Sequence, residues 1–403
     1  QDAFDQALAS CGQEPLPVAL VKLHSPEVKE ESGDGIGDFK ASGEYSKIKA
    51  YGEGKVLVLG GTTSGVLKLV EDFSKKADYK SLPDRFQTPF LVIDEASMMV
   101  CAHLLALATC VAEDGEMLLA GDHRQLAPIR AHDWDNEDRP PAQLYRMHES
   151  AFDAIVRMRY PAQAGSQVQR RVLTDASIRR DGLETTYRLP ATIRRLIQPL
   201  YDRDDLVLRG PDGEISEVTI EDGAGLRAAW CSSHSLYLLA HREEASRQSN
   251  EYEAYLIKHL LDAGIDSGEI REKSVAVITP HRAQRAMLKT LLEDYEPYVE
   301  MIDTVERLQG GEADTIFFSA TVSDPVAIGQ ETEFILDIER ANVAFSRTKR
   351  RLVVLASRAL LDFVPPRLEH YQTALLWKHL RAMCARELAA GEIAATPYSI
   401  LVP

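Results

Sequence analysis

The chain has 403 residues, 45% hydrophobic and 27% charged, with a net charge of −16 and a pI near 5.2. Those values suit a globular protein of roughly two or three domains and exclude a generally basic nucleic-acid coat, although a local basic channel stays open because net charge does not report distribution. Five cysteines (Cys11, Cys101, Cys110, Cys231 and Cys384) form no CxxC pair, so their spacing suits reduced thiols in the cytoplasm; no run is long enough for a bilayer, and no signal peptide is expected.

Residues 2–11 place Phe4, Ala7, Leu8 and Cys11 on one face of a predicted helix. Residues 17–23 read as a short strand. Residues 27–54 are rich in Glu, Gly, Ser and Lys without an apolar period, which predicts a mobile surface connection. Residues 55–59 read as a buried strand, followed by the turn Gly60-Gly61-Thr62-Thr63-Ser64-Gly65 and a helix over 67–73. Phe90-Leu91-Val92-Ile93 has the composition of a strand in a parallel sheet covered on both faces. It ends in Asp94 and Glu95, where open α/β sheets place their ligands. Adjacent acids there suit NTP hydrolysis, Asp94 holding Mg²⁺ and Glu95 activating water. A strand ending in two solvated carboxylates would look the same.

A helix over 98–111 and a strand over 117–120 lead into Gly121-Asp122-His123-Arg124-Gln125-Leu126-Ala127-Pro128. A loop over 131–142, a helix over 150–158 and a strand over 171–173 follow, up to Thr185-Thr186-Tyr187-Arg188-Leu189-Pro190. There a first domain, 1–184, hands over to a second, 185–403. The second domain reads as a helix (254–263), a strand (274–278), a helix (282–292), strand-loop-strand (300–319), a helix (342–348), a last core strand (352–356) and a helical tail (375–388). Strands alternating with helices predict an α/β fold with mainly parallel sheets in two halves.

The turn at Gly60 is not a P-loop. Gly65 is followed by Val66 and Leu67, and Lys68 comes two positions late. Gly54-Lys55 fares no better, because Val56 has no hydroxyl for Mg²⁺. Taken in order, Val58-Leu59-Gly60-Gly61-Thr62-Thr63, LVIDEAS, GDHRQLAPI, TTYRLP, VITPHRAQ, ERLQGGEADTIFFS and NVAFSRTKRRLVVL resemble the motif series of superfamily 1 helicases. They are most similar to the branch of senataxin and the nonsense-mediated-decay helicase, which moves 5′ to 3′ on single strands. The resemblance spans residues 55–355.

It implies two RecA-like parallel-sheet domains, the first incomplete at its N-terminus and its P-loop upstream of Gln1, together with ATP and Mg²⁺ as cofactors. Asp94 matches the Mg²⁺-binding acid and Glu95 the catalytic base. Gln125 matches the sensor of the γ-phosphate and water. Tyr187 resembles the aromatic that stacks on the nucleotide base, and Gly310 and Glu312 the stretch near the ribose. Arg188 and Arg347 resemble two arginine fingers, whose planar paired donors suit a γ-phosphate. Thr62, Thr63, Thr279, Pro280 and Thr304 fall where the family touches the nucleic-acid backbone, a mode suited to sequence-independent binding.

Simpler structural roles exist beside these. Arg188 could serve as a surface ion-pair partner, Gln125 as a turn cap, and Thr62 and Thr63 as turn formers. Lys349-Arg350-Arg351 reads as a solvated face, and the histidines lack metal spacing. The expected function is the C-terminal part of an ATP-dependent 5′ to 3′ helicase or translocase. Its partners would be single-stranded DNA or RNA and domains upstream of Gln1, with no membrane. The alternatives are a catalytically silent helicase-like module that binds nucleic acid or a partner, and a nuclease-linked or defence helicase. Backbone contacts leave DNA and RNA undistinguished.

Overall fold

Alternating strands and helices sort into two packed units: residues 1–122 with 128–168, and 123–127 with 169–403. The computed structural model describes residues 17–24, 35–76, 86–128, 146–159, 181–211, 225–308, 310–371 and 373–403. The helix expected over 2–11, the loop over 131–142, the strand over 171–173 and Gln309 lie outside them.

In the first unit β1 (Val18–His24) is the centre of a parallel three-stranded sheet, flanked by β2 (Ile36–Lys40) and β3 (Val56–Gly60). The helix Tyr45–Tyr51 connects β2 to β3 and packs Ile48 against Val21, Leu23 and Leu69. This corrects the reading of 27–54 as a mobile connection, at least over 35–54. β2 alternates half-buried with exposed residues and the helix buries Ile48 alone, so neither leaves a legible apolar period. A second, parallel pair joins β4 (Thr88–Ile93) to β5 (Val111–Leu119). Ile93, Ala96, Leu104, Leu107 and Ala151 form its core.

Two strands expected to be buried are not. In β4, Ile93 faces the core while Phe90 and Val92 are 51% and 53% exposed, and four of the five residues of β3 are exposed. Ile93 and Leu91 of β4 pack with Leu104 and Leu107 of the helix Cys101–Ala108, whereas of β3 only Leu59 joins a core, with Ile48 and Val66. No element among the described residues covers their exposed faces.

The second unit is built on a single seven-stranded sheet. β6 (Leu236–His241), β10 (Thr348–Ser357), β9 (Ala313–Ser319), β7 (Val275–Thr279) and β8 (Val299–Thr304) all run parallel. β6 and β7 are buried at every residue, as strands covered on both faces must be. Phe317 and Phe318 show how one strand serves two cores. Phe317 packs with Trp230, Ile257 and Leu355, and Phe318 with Ile193, Phe345 and Trp377.

The expected helical tail is a second correction. The helix Leu375–Met383 stops, and β11 (Arg386–Ile393) and β12 (Thr396–Val402) form a hairpin whose second strand joins β6 antiparallel. Glu387-Leu388-Ala389-Ala390 has good helix formers, but Tyr398, Ile400 and Val402 bury against β6's core, and that packing overrides local propensity. No helix among the described residues is long and apolar enough to cross a membrane.

Candidate nucleotide and nucleic-acid contact residues

In the first unit the chain leaves β4 at buried Ile93 and turns sharply. Glu95 takes a left-handed conformation (φ 50°), uncommon for a residue with a side chain, and starts the short helical turn Ala96–Met98. The turn is pinned to the end of β5 by Ala96 N–H donating to the Ala120 carbonyl at 2.9 Å and Ala120 N–H to the Ile93 carbonyl at 2.8 Å. Gly121 makes this approach possible, since a Cβ there would lie 2.9 Å from the Ala96 nitrogen. Asp94 is exposed, and one of its oxygens accepts the Glu95 N–H at 2.9 Å. An exposed single carboxylate fits Mg²⁺ shared with phosphate oxygens. Among the described residues no cluster of three or more His, Cys, Asp or Glu could hold a metal by itself.

Thr62, after β3, is exposed and starts the helix Thr63–Lys76. Its hydroxyl accepts the Gly65 N–H at 3.2 Å and its carbonyl the Val66 N–H at 2.9 Å. The turn-forming role is thus realised at Thr62, leaving the side chain accessible, with half-buried Thr63 inside the first turn.

In the second unit the residues expected to meet nucleotide gather at the amino ends of the central strands. Arg347 N-terminally adjoins β10 and Glu312 adjoins β9, directly before the paired residues Thr348 and Ala313. Arg347 is buried, and its Nη2 donates to Gln125 Oε1 at 2.6 Å across 222 residues of chain. Gln125 is held in place by its neighbour. Arg124 grips Asp204 with two hydrogen bonds, Nε to Oδ2 at 2.8 Å and Nη2 to Oδ1 at 3.0 Å. Asn342 Nδ2 donates to the Arg124 carbonyl at 2.9 Å and to the Tyr201 hydroxyl at 3.0 Å. Burial pushes the Asp204 carboxyl up, but the Arg124 guanidinium and nearby His123 outweigh it and hold it below the usual carboxylate range.

Beside this group Arg188 Nε donates to Glu312 Oε2 at 3.0 Å, and Lys349 lies 2.5 Å from Glu312 Oε1. The Lys349 hydrogen bond, with the charges of Lys349 and Arg188, lowers the Glu312 pKa. Both partners are well exposed, so the pair contributes little stability. Tyr187 is 86% exposed, and Gly310 adopts φ +82° in open space.

The residues expected on a nucleic-acid backbone lie at the opposite, carboxyl ends. Thr279 ends β7 and Thr304 ends β8, paired in register, and Pro280 follows Thr279. All three are buried. The Thr279 hydroxyl shares a 2.9 Å hydrogen bond with that of Thr321, so it positions the strand end.

Sequence reasoning missed Arg124, Asp204 and Asn342, because hydrogen-bond partners so far apart leave no local signal. Lys349-Arg350-Arg351 is also more than a solvated face. Arg351 is buried with its guanidinium 4.5 Å over the Trp230 ring, and Arg350 pairs with Glu269 at 2.7 Å.

Residues 165–359 match the AAA_12 family, described as an AAA domain. The chain is 25% identical over 254 residues to the DNA polymerase alpha-associated DNA helicase A of Schizosaccharomyces pombe, a match covering 60% of this chain and 33% of that protein. It is 25% identical over 303 residues to the DNA replication ATP-dependent helicase/nuclease DNA2 of Bos taurus, covering 69% of this chain and 25% of that protein. Among solved structures, an Arterivirus nonstructural protein 10 (helicase) in complex with DNA aligns at TM-score 0.36 and 13% identity, over 94% of this chain and 53% of that one. The chain is helicase-like, and its matches span about a third or less of the relatives' length.

Proposed function

We propose that this helicase-like chain is part of an ATP-dependent superfamily 1 helicase or translocase that moves 5′ to 3′ on single-stranded nucleic acid. The observation that carries the reading is the hydrogen bond between Gln125 and Arg347, from motifs 222 residues apart, at the same ends of β9 and β10 as Glu312 and Arg188. A buried guanidinium pre-positioned on a glutamine amide is what a γ-phosphate sensor requires: planar donors, fixed before charge develops. Arg188 supplies a second guanidinium, and the exposed Tyr187 ring offers a face to a nucleotide base. Gly310 and Glu312 would border the ribose.

In the first unit Asp94 would hold Mg²⁺ and Glu95 would take the proton of the attacking water. When bound, Mg²⁺ would neutralise charge on the transferred phosphoryl group. Nucleic acid would meet the end of the second unit bearing Thr279, Pro280 and Thr304, as well as Thr62 and Thr63 of the first unit. The test is ATP turnover, stimulated by single-stranded nucleic acid, in the protein carrying this chain. Glu95→Gln is expected to lower turnover about 10²–10⁴-fold, the usual cost of losing a general base, while nucleotide binding persists. Unchanged turnover removes Glu95 from the mechanism. No turnover in the unaltered protein, with nucleic acid still bound, replaces this reading by a silent binding module.

A further inference from the structure

Segments that follow the carboxyl ends of the second unit's central strands line a half-open pocket of about 800 Å³. Each of four parallel strands contributes to it through the segment that follows: Gln248 after β6, His281 after β7, Glu331 and Phe334 after β9, Arg367 and His370 after β10. Crevices at such ends are where α/β sheets bind ligands, and the volume is in the range of small-molecule sites. His281 is only 6% exposed, yet its Nε2 has no hydrogen-bond partner among the described residues. A buried polar atom in that state costs free energy until a ligand satisfies it. The residue is held at its backbone and at its ring. Its backbone N–H donates to the Thr279 hydroxyl at 3.3 Å, and Phe334 meets it edge-on with centroids 5.1 Å apart.

We infer that this cavity receives one unstacked nucleobase of a bound nucleic-acid strand. The lining offers no net site for an anion, because the Glu331 and Glu333 carboxylates stand beside the Arg367 guanidinium, with Glu333 3.4 Å from the His370 ring. It suits a flat, uncharged group carrying both donors and acceptors. Burial holds the His281 imidazole below the usual histidine range, so near neutral pH it is uncharged, with one nitrogen to donate and one to accept. The edge of a base presents such a mixture, and Phe334 lines the same wall with the Arg340 guanidinium 4.4 Å over its ring. Location agrees, since His281 lies two residues from Thr279. The inference rests on the proposed function in one respect, that a nucleic-acid strand passes this end of the unit.

The test uses the whole chain at low salt and a single-stranded DNA of about a dozen nucleotides in which an abasic site is moved one position at a time. One position is expected to weaken binding about 5- to 100-fold, the range for losing one base contact, with the rest near the intact strand. Phe334→Ala is expected to flatten this profile. A 5-iododeoxyuridine at the sensitive position is expected to crosslink, in the unaltered chain, to the peptide holding His281 or Phe334. That measurement needs no folded variant. A flat abasic profile on a strand that still binds, or crosslinks confined to peptides away from the cavity, overturns the pocket and leaves the helicase reading standing. Failure of the unaltered chain to bind the strand at all overturns both.

Discussion

Thr321 occupies the left-handed region at φ +71°, a conformation that costs a β-branched residue about 1–3 kcal/mol. Its neighbours compel it. The Thr321 N–H donates to Glu253 Oε2 at 2.9 Å, and its carbonyl accepts from Asn250 Nδ2 at 2.9 Å. Glu253 is fully buried and also binds His241 at 3.0 Å and the Ser319 hydroxyl at 2.5 Å. Thr279 rests on Thr321, so one carboxylate sets the ends of β6, β7 and β9 where nucleic acid is proposed to pass. Glu253→Ala leaves these buried partners unsatisfied and is expected to cost about 3–5 kcal/mol, the range for breaking a buried pair. Urea denaturation measures it. A loss under about 1 kcal/mol would show that the network is not what holds Thr321 in place.

The hairpin β11–β12 turns through two residues, Ala394 and Ala395, between the paired Ile393 and Thr396. Both are left-handed, at φ 49° and 61°, the pattern of the mirror-type turns that match strand twist. Alanine is poorly suited to it, because its Cβ crowds the following carbonyl at about 1–2 kcal/mol per residue. The hairpin forms because β12 buries Ile400 and Val402 against β6, so tertiary packing offsets turn strain. Replacing Ala394-Ala395 by Asn-Gly is expected to stabilise the second unit by about 1 kcal/mol, raising Tm by about 2–4 °C. Calorimetry decides this. A lower Tm would mean that the turn is not of the mirror type.

At the scale of the whole molecule the two units differ in how well their sheets are covered. In the second, β6, β7 and most of β9 and β10 are buried on both faces, between two large cores. In the first, the cores hold few fully buried residues among the described ones, and β3, β4 and β5 leave Val58, Phe90, Val92 and Leu118 exposed. Opening energies follow buried apolar contact. Amide hydrogen exchange is therefore expected to be slowest in β6, β7, β9 and β10, and faster by orders of magnitude in β3, β4 and β5. Equal protection in the two groups would contradict the burial pattern.

The amino-acid sequence by itself determined the α/β class, the strands β1, β3 to β5 and β7 to β10, several of the longer helices, and the motif order from Thr62 to Arg347, because period and composition are local properties. It could not determine which motif residues meet. Gln125 reaches Arg347 only because Arg124 is clamped to Asp204 and held by Asn342, contacts that span loop closures with no local signature. Nor did it reveal β2, β6, the helix Ala191–Tyr201 or the hairpin. β2 and the hairpin have weak patterns, and each forms because a neighbouring strand supplies the hydrogen bonds and the covering surface. The inward burial of Thr279 and the cavity beside His281 were likewise decided by tertiary structure, since which way a side chain faces at a strand's end depends on what packs there.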